Sequence, residues 1–274
     1  MKDVIIMAAP NGARASKADH PALPLTIEEI TQEALRCRDA GASVIHAHVR
    51  DKDGIHVLDS GLYTELLAEI SEQAPELMVQ ITTEAVGRYS PYQQKEIVHS
   101  VKPDMASVAL REMVPSPAEE SSAGEFYAWA AEADIHIQHI LYDAADVQYY
   151  KFLRSEGIIP EHGPSGMLFV LGRYASNLIA DSAELLPMVR EAGEISFPWF
   201  CCAFGKTEGA CMKLAMEQGG HPRVGFENNR LLNDGSVAKG SYELVAQTVE
   251  AAKALGLNVL DAGGAKALLW GELV

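Results

Sequence analysis

Short apolar runs rich in β-branched residues alternate along the chain with longer segments of helical periodicity. Most of the runs are continuously apolar, which is typical of strands buried on both faces of a parallel sheet. The predicted strands are VIIMAAP (4–10), SVIHAHVR (43–50), LMVQITT (77–83), MASVAL (105–110), IHIQHILY (135–142), MLFVLG (167–172), ISFPWFCCAFG (195–205) and PRVGFEN (222–228).

A helix is predicted after each strand, and Thr26 and Gly41 are expected to begin and end the first one. The predicted helices cover residues 25–41, 62–73, 91–101, 123–134, 145–157, 182–193, 208–220 and 241–256. Eight strand–helix units in 274 residues predict one α/β domain, residues 1–274, folded as a (β/α)8 TIM barrel. An open doubly wound sheet is disfavoured, because APNGARAS after the first strand lacks a Gly-rich dinucleotide fingerprint.

Composition narrows the range of functions. No apolar run has the length of a membrane span, and MKDVIIMAAPNGARAS is interpreted as a first strand rather than a secretory signal. The four cysteines form no CxxC pair, so a cytoplasmic location is expected. A net charge of −16 argues against nucleic acid and anionic membranes as partners, and it suits a homo-oligomer with small-molecule substrates.

A TIM barrel carries its active site at the carboxyl ends of its strands. Two of the predicted strands have side chains that can bind a metal ion at this end. His46 and His48 are two residues apart on the second predicted strand, so they share a face. Glu227 ends the eighth predicted strand, where a charge needs a partner. Two histidines, one glutamate and an open position form a catalytic zinc arrangement. Structural histidines bonded to carbonyl groups, and a salt bridge from Glu227 to Arg223, are the alternatives.

The chain resembles the β-keto acid cleavage enzyme family along nearly its whole length. The resemblance rests on NG near residue 11, HPALPLTIEEI (20–30), AGASVIHAHVRD (40–51), FVLG (169–172), GGHPRVGFENN (219–229) and ELVAQTVEAAKALG (243–256). It implies a zinc-dependent (β/α)8 barrel that is usually a homotetramer. It also implies condensation of a β-keto acid with acetyl-CoA, which yields acetoacetate and a new acyl-CoA.

By position, the resemblance implies roles for six residues. His46, His48 and Glu227 are expected to bind zinc, and Arg223 matches the active-site arginine of the family. Thr82 and Ser107 stand where members place hydroxyl groups near the metal, and these hydroxyls would stabilise developing oxyanions. Ordinary strand-end capping is the alternative for both hydroxyls.

The family commonly has EDN after the eighth strand, whereas this chain has Glu227, Asn228 and Asn229. The aspartate credited with proton abstraction is therefore replaced by Asn228, and an amide is not a general base. Glu84, just past the third strand, is the candidate substitute, with a solvated loop carboxylate as the alternative.

Two further differences concern substrate binding. Lys206 stands where members often have arginine; it is expected to meet a phosphate or carboxylate, or to be a solvated residue in a first helical turn. Arg14 stands where the member that cleaves an amino-keto acid has an acidic residue, so the far end of the substrate is expected to be neutral or carboxylated. Asn11 is the expected polar contact beside it.

Two other functions remain open at this stage. An amidohydrolase-like hydrolase would use the HxH pair with later histidines, and His136 and His139 keep that hypothesis alive. A metal-binding barrel with an altered or silent site is the second, because of Asn228. No discrete CoA motif is present, although Arg88, Arg111 and Arg173 lie near predicted strand ends.

Overall fold

The computed structural model describes residues 2–193 and 197–271, and eight parallel strands in it close into a barrel in chain order. The strands are β1 (Met7–Ala8), β2 (Val44–Ala47), β3 (Met78–Thr82), β4 (Met105–Ala109), β5 (His136–Leu141), β6 (Ser165–Leu171), β7 (Trp199–Ala203) and β8 (His221–Val224). The barrel closes where β1 pairs with both β2 and β8. The predicted TIM-barrel fold is confirmed.

One helix follows each strand and covers the outside of the barrel. These helices are α1 (Ile27–Asp39), α2 (Ser60–Gln73), α3 (Pro91–Val101), α4 (Glu120–Glu132), α5 (Ala144–Ser155), α6 (Leu185–Ala192), α7 (Glu208–Glu217) and α8 (Ser241–Ala254). A short helix, Leu110–Met113, and 3-10 turns at Pro117–Glu119 and Ser182–Glu184 precede α4 and α6. Thr26 caps α1 in a capping box with Glu29, as predicted from its side chain.

The strands divide the core into two layers, because successive side chains point to opposite faces. Residues facing outward pack against the helices, as Ile45, Ile81 and Phe169 do. Residues facing inward fill the amino-terminal half of the barrel with a separate apolar cluster. This inner cluster includes Ile5, Met7, Val44, Met78, Met105, Leu168 and Phe200. The carboxyl-terminal half of the interior is therefore left to polar side chains.

Two elements at the end of the chain were not predicted. Asn258–Val259 pairs in parallel with Asp3–Val4, outside the barrel. The following helix, α9 (Ala262–Leu269), places Ala265 and Leu269 against the inner apolar cluster. It thus closes the amino-terminal end of the barrel, opposite the end where the site is expected.

The strands end earlier than predicted on the side of the site. β2 ends at Ala47, just before His48, and β8 ends at Val224, three residues before Glu227. The prediction that Glu227 ends a strand is wrong: it lies in the turn after β8. Residues 195 and 196, the start of the predicted seventh strand, lie outside the described residues. None of the described helices is both long enough and apolar enough to cross a membrane.

Candidate active site

A cavity of about 600 Å³ opens at the carboxyl ends of the strands. Nine of the residues given a candidate site role from the sequence line it. They are Asn11, Arg14, His46, Thr82, Glu84, Lys206, Arg223, Glu227 and Asn228. His48 is buried directly behind His46, and Ser107 is buried in the barrel and does not line the cavity. A cavity of this size accommodates a ligand larger than a small keto acid.

His46, His48 and Glu227 converge at the floor of the cavity, and their ligand atoms all lie within 4.8 Å of one another. The two imidazole Nε2 atoms are 3.0 Å apart. Glu227 Oε2 is 3.5 Å from His46 Nε2, and Glu227 Oε1 is 3.7 Å from His48 Nε2. Three donor atoms of the kinds that zinc prefers therefore face one small space.

The network beneath His46 sets its tautomer. Gln80 Nε2 donates to Gln138 Oε1 at 3.3 Å. The oxygen of the Gln80 amide, Oε1, therefore faces His46 Nδ1 at 2.8 Å. His46 must then donate from Nδ1, which leaves a lone pair on Nε2. Burial, with Arg223 nearby, lowers the pKa of His46 well below its ordinary value, so the ring is neutral. A neutral imidazole held from its far nitrogen is the form that ligates a metal.

The loop after β1 supports both His48 and Glu227. Asn11 Nδ2 donates to the carbonyl groups of His48 (2.7 Å) and Pro24 (3.3 Å), and its Oδ1 accepts from the N–H of His48 (3.1 Å) and of Gly12 (2.8 Å). The Asn11 amide is thereby saturated by backbone groups. Gly12 has φ +75°, and a Cβ there would lie 2.6 Å from Glu227 Cγ. Glycine is required at this contact.

Arg223 and Glu227 form the salt bridge that was the alternative to metal binding, and Glu227 faces the histidines as well. Arg223 Nη2 is 3.2 Å from Glu227 Oε1 and also donates to Cys202 Sγ at 3.5 Å. Burial opposes ionisation of Glu227, but the Arg223 guanidinium outweighs it and lowers the pKa of Glu227. Arg223 Nε and Nη1 are buried without a partner in the described part of the chain.

The turn that carries Glu227 is anchored from α7. Glu208 accepts from Asn229 Nδ2 (3.1 Å) and from the N–H of Gly225 (3.4 Å). Burial raises the pKa of Glu208 to about 8. Asn228, between these anchors, is 7% exposed, and neither atom of its amide has a hydrogen-bond partner among residues 2–193 and 197–271. Asn228 therefore presents a free donor and a free acceptor to the cavity.

Glu84 lies in the cavity rather than in bulk solvent, with its side chain 24% exposed. Its Oε1 is 3.6 Å from Arg14 Nη2, and its Oε2 is 3.9 Å from His48 Nδ1. Thr82 Oγ1 accepts from the N–H of Glu84 at 3.0 Å, the capping contact that was its alternative role. The Thr82 hydroxyl hydrogen is left for other acceptors.

Ser107 and two histidines occupy other places. The Ser107 hydroxyl is buried on β4 and has no hydrogen-bond partner within the described ranges. His139 points out of the barrel, between the rings of Tyr127 (centroids 5.1 Å apart) and Tyr150 (4.9 Å). His136 lies at the opposite end of the barrel, 5.6 Å from the Trp270 ring. Neither histidine reaches His46, so the amidohydrolase-like set of ligands does not form.

Several cavity residues were missed from the sequence or seen only weakly. Tyr142, His20, Phe204 and Arg230 line the cavity, but each looked like an ordinary core or loop residue. Of the arginines near predicted strand ends, Arg173 lines it too. Arg111 is instead paired with Asp143 and with Asp146, and Arg88 belongs to a smaller neighbouring cavity. Position after a strand was the available signal, and it does not separate these cases.

Comparison with known proteins agrees with this geometry. The chain is 30% identical to the 3-keto-5-aminohexanoate cleavage enzyme of Fusobacterium nucleatum subsp. nucleatum, over 98% of each chain. It is 26% identical to the 3-oxoadipate:acetyl-CoA acetyltransferase of Cupriavidus necator, over 97% of this chain and 94% of that protein. The fold is shared with ObcA, solved as a ternary complex with a C4-CoA adduct and oxalate, at a TM-score of 0.75 and 17% identity, covering 91% of this chain and 67% of that one.

The family of beta-keto acid cleavage enzymes matches residues 3–270, nearly the whole chain. Its relatives include acetyl-CoA-dependent transferases as well as cleavage enzymes. The barrel, the cavity at the carboxyl ends of its strands and these matches lead to one conclusion: the chain belongs to the beta-keto acid cleavage enzyme family.

Proposed function

We propose that this protein is a zinc-dependent enzyme that condenses a β-keto acid with acetyl-CoA and releases acetoacetate and a new acyl-CoA. The observation that carries the proposal is the convergence of His46, His48 and Glu227 on the cavity floor. We also propose a homotetramer in the cytoplasm; the four cysteines are free and buried, which suits a reducing compartment.

The donor set fits zinc. His46 offers a lone pair on Nε2, the carboxylate of Glu227 is held ionised, and Glu227 Oε2 is buried without a hydrogen-bond partner in the described residues. Two imidazoles and one carboxylate leave a fourth position for substrate oxygen. The chemistry that zinc supplies at these ligands is Lewis-acid withdrawal of electrons from a carbonyl oxygen, which makes the adjacent C–H more acidic.

Arg223 is suited to hold the carboxylate of the keto acid. Its Nε and Nη1 are buried and unpartnered in the described chain, and it lines the cavity beside Glu227. Each of these N–H groups can donate a charge-assisted hydrogen bond to a carboxylate oxygen, so the contact orients the substrate as well as binding it. The Asn228 amide, also free, supplies a neutral donor beside it.

We assign proton abstraction to Glu84, since Asn228 has no basic site. Glu84 lies in the cavity on the His48 side, and Arg14 balances its charge at 3.6 Å. The resulting enolate attacks the acetyl carbonyl of acetyl-CoA, and the C–S bond breaks to expel the CoA thiolate. The thiolate then attacks the original keto carbonyl, and cleavage of the bond between C2 and C3 leaves the acyl-CoA and the enolate of acetoacetate. Protonated Glu84 returns its proton to that enolate, which completes acetoacetate. Thr82 lines the cavity, and its hydroxyl would donate to a developing oxyanion.

Contacts of the described residues support the remaining site assignments. Asn11 supports the backbone of His48 instead of contacting substrate, because its amide is saturated. Ser107 belongs to the polar layer beneath the site rather than to the cavity wall. Arg14 lines the cavity and its side chain is 61% exposed, which favours a substrate with a neutral or carboxylated far end.

The proposal is tested with purified protein of known zinc content, incubated with acetyl-CoA and a panel of neutral, dicarboxylic and amino β-keto acids. Acetoacetate and acyl-CoA are expected only when both substrates are present, with the amino compounds the poorest. Bound zinc and a bound keto acid without any turnover would instead support the second function, an altered metal-binding barrel, which the Asn228 amide favours.

A further inference from the structure

Three cations on the cavity rim form no salt bridge within the part of the chain that the structure describes. Arg173 follows β6, Lys206 follows β7 and Arg230 follows β8. Within residues 2–193 and 197–271, no carboxylate oxygen lies within 4.0 Å of their side-chain nitrogens. Arg14 and Arg223, the other cations of the cavity, are both paired, with Glu84 and Glu227. The rim cations are thus available to a ligand.

The charge of the cavity has the opposite sign to that of the chain. The chain has a net charge of −16. The cavity is lined by the three rim cations, the two ion pairs and one more carboxylate, Asp19. Asp19 accepts from the Ser16 N–H at 2.8 Å and hydroxyl at 3.1 Å, and these bonds, together with Arg230, lower its pKa. An acidic protein repels anions except where local cations concentrate them, so the rim marks the approach of an anionic group.

The loops after β6 and β7 hold two of these cations on one rim. The Ala180 N–H donates to the Phe204 carbonyl at 2.8 Å, and Thr207 Oγ1 donates to the Ala180 carbonyl at 2.7 Å. The Arg173 guanidinium carbon lies 5.7 Å from the centre of the Phe204 ring. At this distance the cation is attracted to the face of the ring, which favours a position of Arg173 beside Phe204. Phe204 is two residues before Lys206 in the chain, so the contact brings Arg173 close to the loop that carries Lys206. On the third loop, Arg230 Nε is buried and lacks a partner in the described chain.

We propose that Arg173, Lys206 and Arg230 bind the phosphate groups of acetyl-CoA. Loops after strands 7 and 8 of a TIM barrel are a recurrent phosphate site, and arginine binds phosphate with two parallel donors. An apolar wall of Val170, Leu178 and Phe204 runs beside these cations, and it suits the pantetheine arm. The inference rests on the proposed function, and it names the residues that recognise the second substrate.

The test compares acetyl-CoA with S-acetylpantetheine, which carries the same thioester but no phosphate. Arg173→Gln, Lys206→Gln and Arg230→Gln are each expected to raise KM for acetyl-CoA about tenfold, because each removes a charge-assisted contact. The KM for the keto acid and all constants with S-acetylpantetheine are expected to stay within twofold. Lys213→Gln is the matched control, because this exposed lysine on α7 is paired with Glu217 at 4.0 Å.

Three outcomes overturn the inference. An equal fall in kcat/KM with acetyl-CoA and with S-acetylpantetheine would mean that these residues act on folding or on the chemical step. Unchanged KM for acetyl-CoA in all three variants would place the phosphates elsewhere. A rise in Arg88→Gln alone would assign them to the neighbouring cavity.

A binding measurement separates this inference from the proposed function. Titration calorimetry with CoA and with 3′,5′-ADP needs no turnover, and the Lys206→Gln and Arg230→Gln variants are expected to bind both about tenfold more weakly. If no keto acid is turned over but this loss is seen, the proposed function fails and the phosphate site stands. If turnover is seen and binding by the variants is unchanged, the reverse holds.

Discussion

Asn11 holds both backbone groups of His48: its Nδ2 donates to the His48 carbonyl at 2.7 Å, and its Oδ1 accepts from the His48 N–H at 3.1 Å. These two residues are 37 positions apart, so the contact exists only once β1 and β2 pair. It places a histidine at the cavity floor just after its strand has ended, where no sheet hydrogen bond orients it.

Asn11→Ala is expected to destabilise the protein by about 3 kcal/mol, because it leaves buried backbone groups of His48 without partners. Zinc affinity is expected to fall about 10- to 100-fold. Asn228→Ala is the matched control, because this asparagine is also buried but its amide has no partner in the described residues. The free energy of unfolding of this variant should change by less than about 1 kcal/mol. Urea unfolding and zinc titration measure both effects. Equal destabilisation by the two substitutions would contradict the assignment.

Gly12→Ala is expected to displace Glu227, since the new Cβ would meet Glu227 Cγ at 2.6 Å. Gly87→Ala is its control, because Gly87 has φ +72° against +75° at Gly12 and nothing lies within 4 Å of a Cβ there. Both substitutions should cost about 1–2 kcal/mol in backbone strain. Only Gly12→Ala should also lose zinc and activity. Full zinc content in that variant would show that Glu227 is not a ligand.

Glu84→Gln is expected to lower kcat by about 100-fold or more while zinc stays bound, because the amide cannot accept a proton. Asn228→Asp in the same protein is expected to recover at least about tenfold, since it restores a carboxylate beside the substrate. Steady-state assays and metal analysis provide the readouts. If Glu84→Gln keeps the wild-type kcat, another group is the base.

Acid should destabilise the fold partly through His139. Burial, with Arg154 and His136 adding to it, lowers the pKa of His139 to about 3. The unfolded chain binds a proton below about pH 6.5 and the native state does not, so stability is present above pH 6.5 and is lost as pH falls towards 3.

His139→Gln removes that proton. The free energy of unfolding falls between pH 7 and pH 5 in the wild type, and this fall is expected to be about 2 kcal/mol smaller in the variant. Urea unfolding at the two pH values measures it, and identical losses in both proteins would show that His139 does not titrate on unfolding.

The barrel could be foreseen because its information is local. Each buried strand is a continuous apolar run, each helix has its own periodicity, and Thr26 caps α1 through a contact three residues away. α9 was missed because AGGAKALL contains two glycines, which weaken a helix. Packing of Ala265 and Leu269 against the inner apolar cluster stabilises it, and only the closed barrel provides that surface.

The sequence by itself determined which side chains are candidate metal ligands. The spacing of His46 and His48 puts two imidazoles on one face, and Glu227 in an apolar context demands a partner. Only the tertiary structure decided the contacts: Arg223 and the histidines share Glu227, and Asn11 bonds the backbone of His48. Arg111 pairs with aspartates, whereas Arg173 forms no salt bridge within the described residues. These contacts join residues far apart in the chain, and closure of eight strands is what brings their loops to one rim.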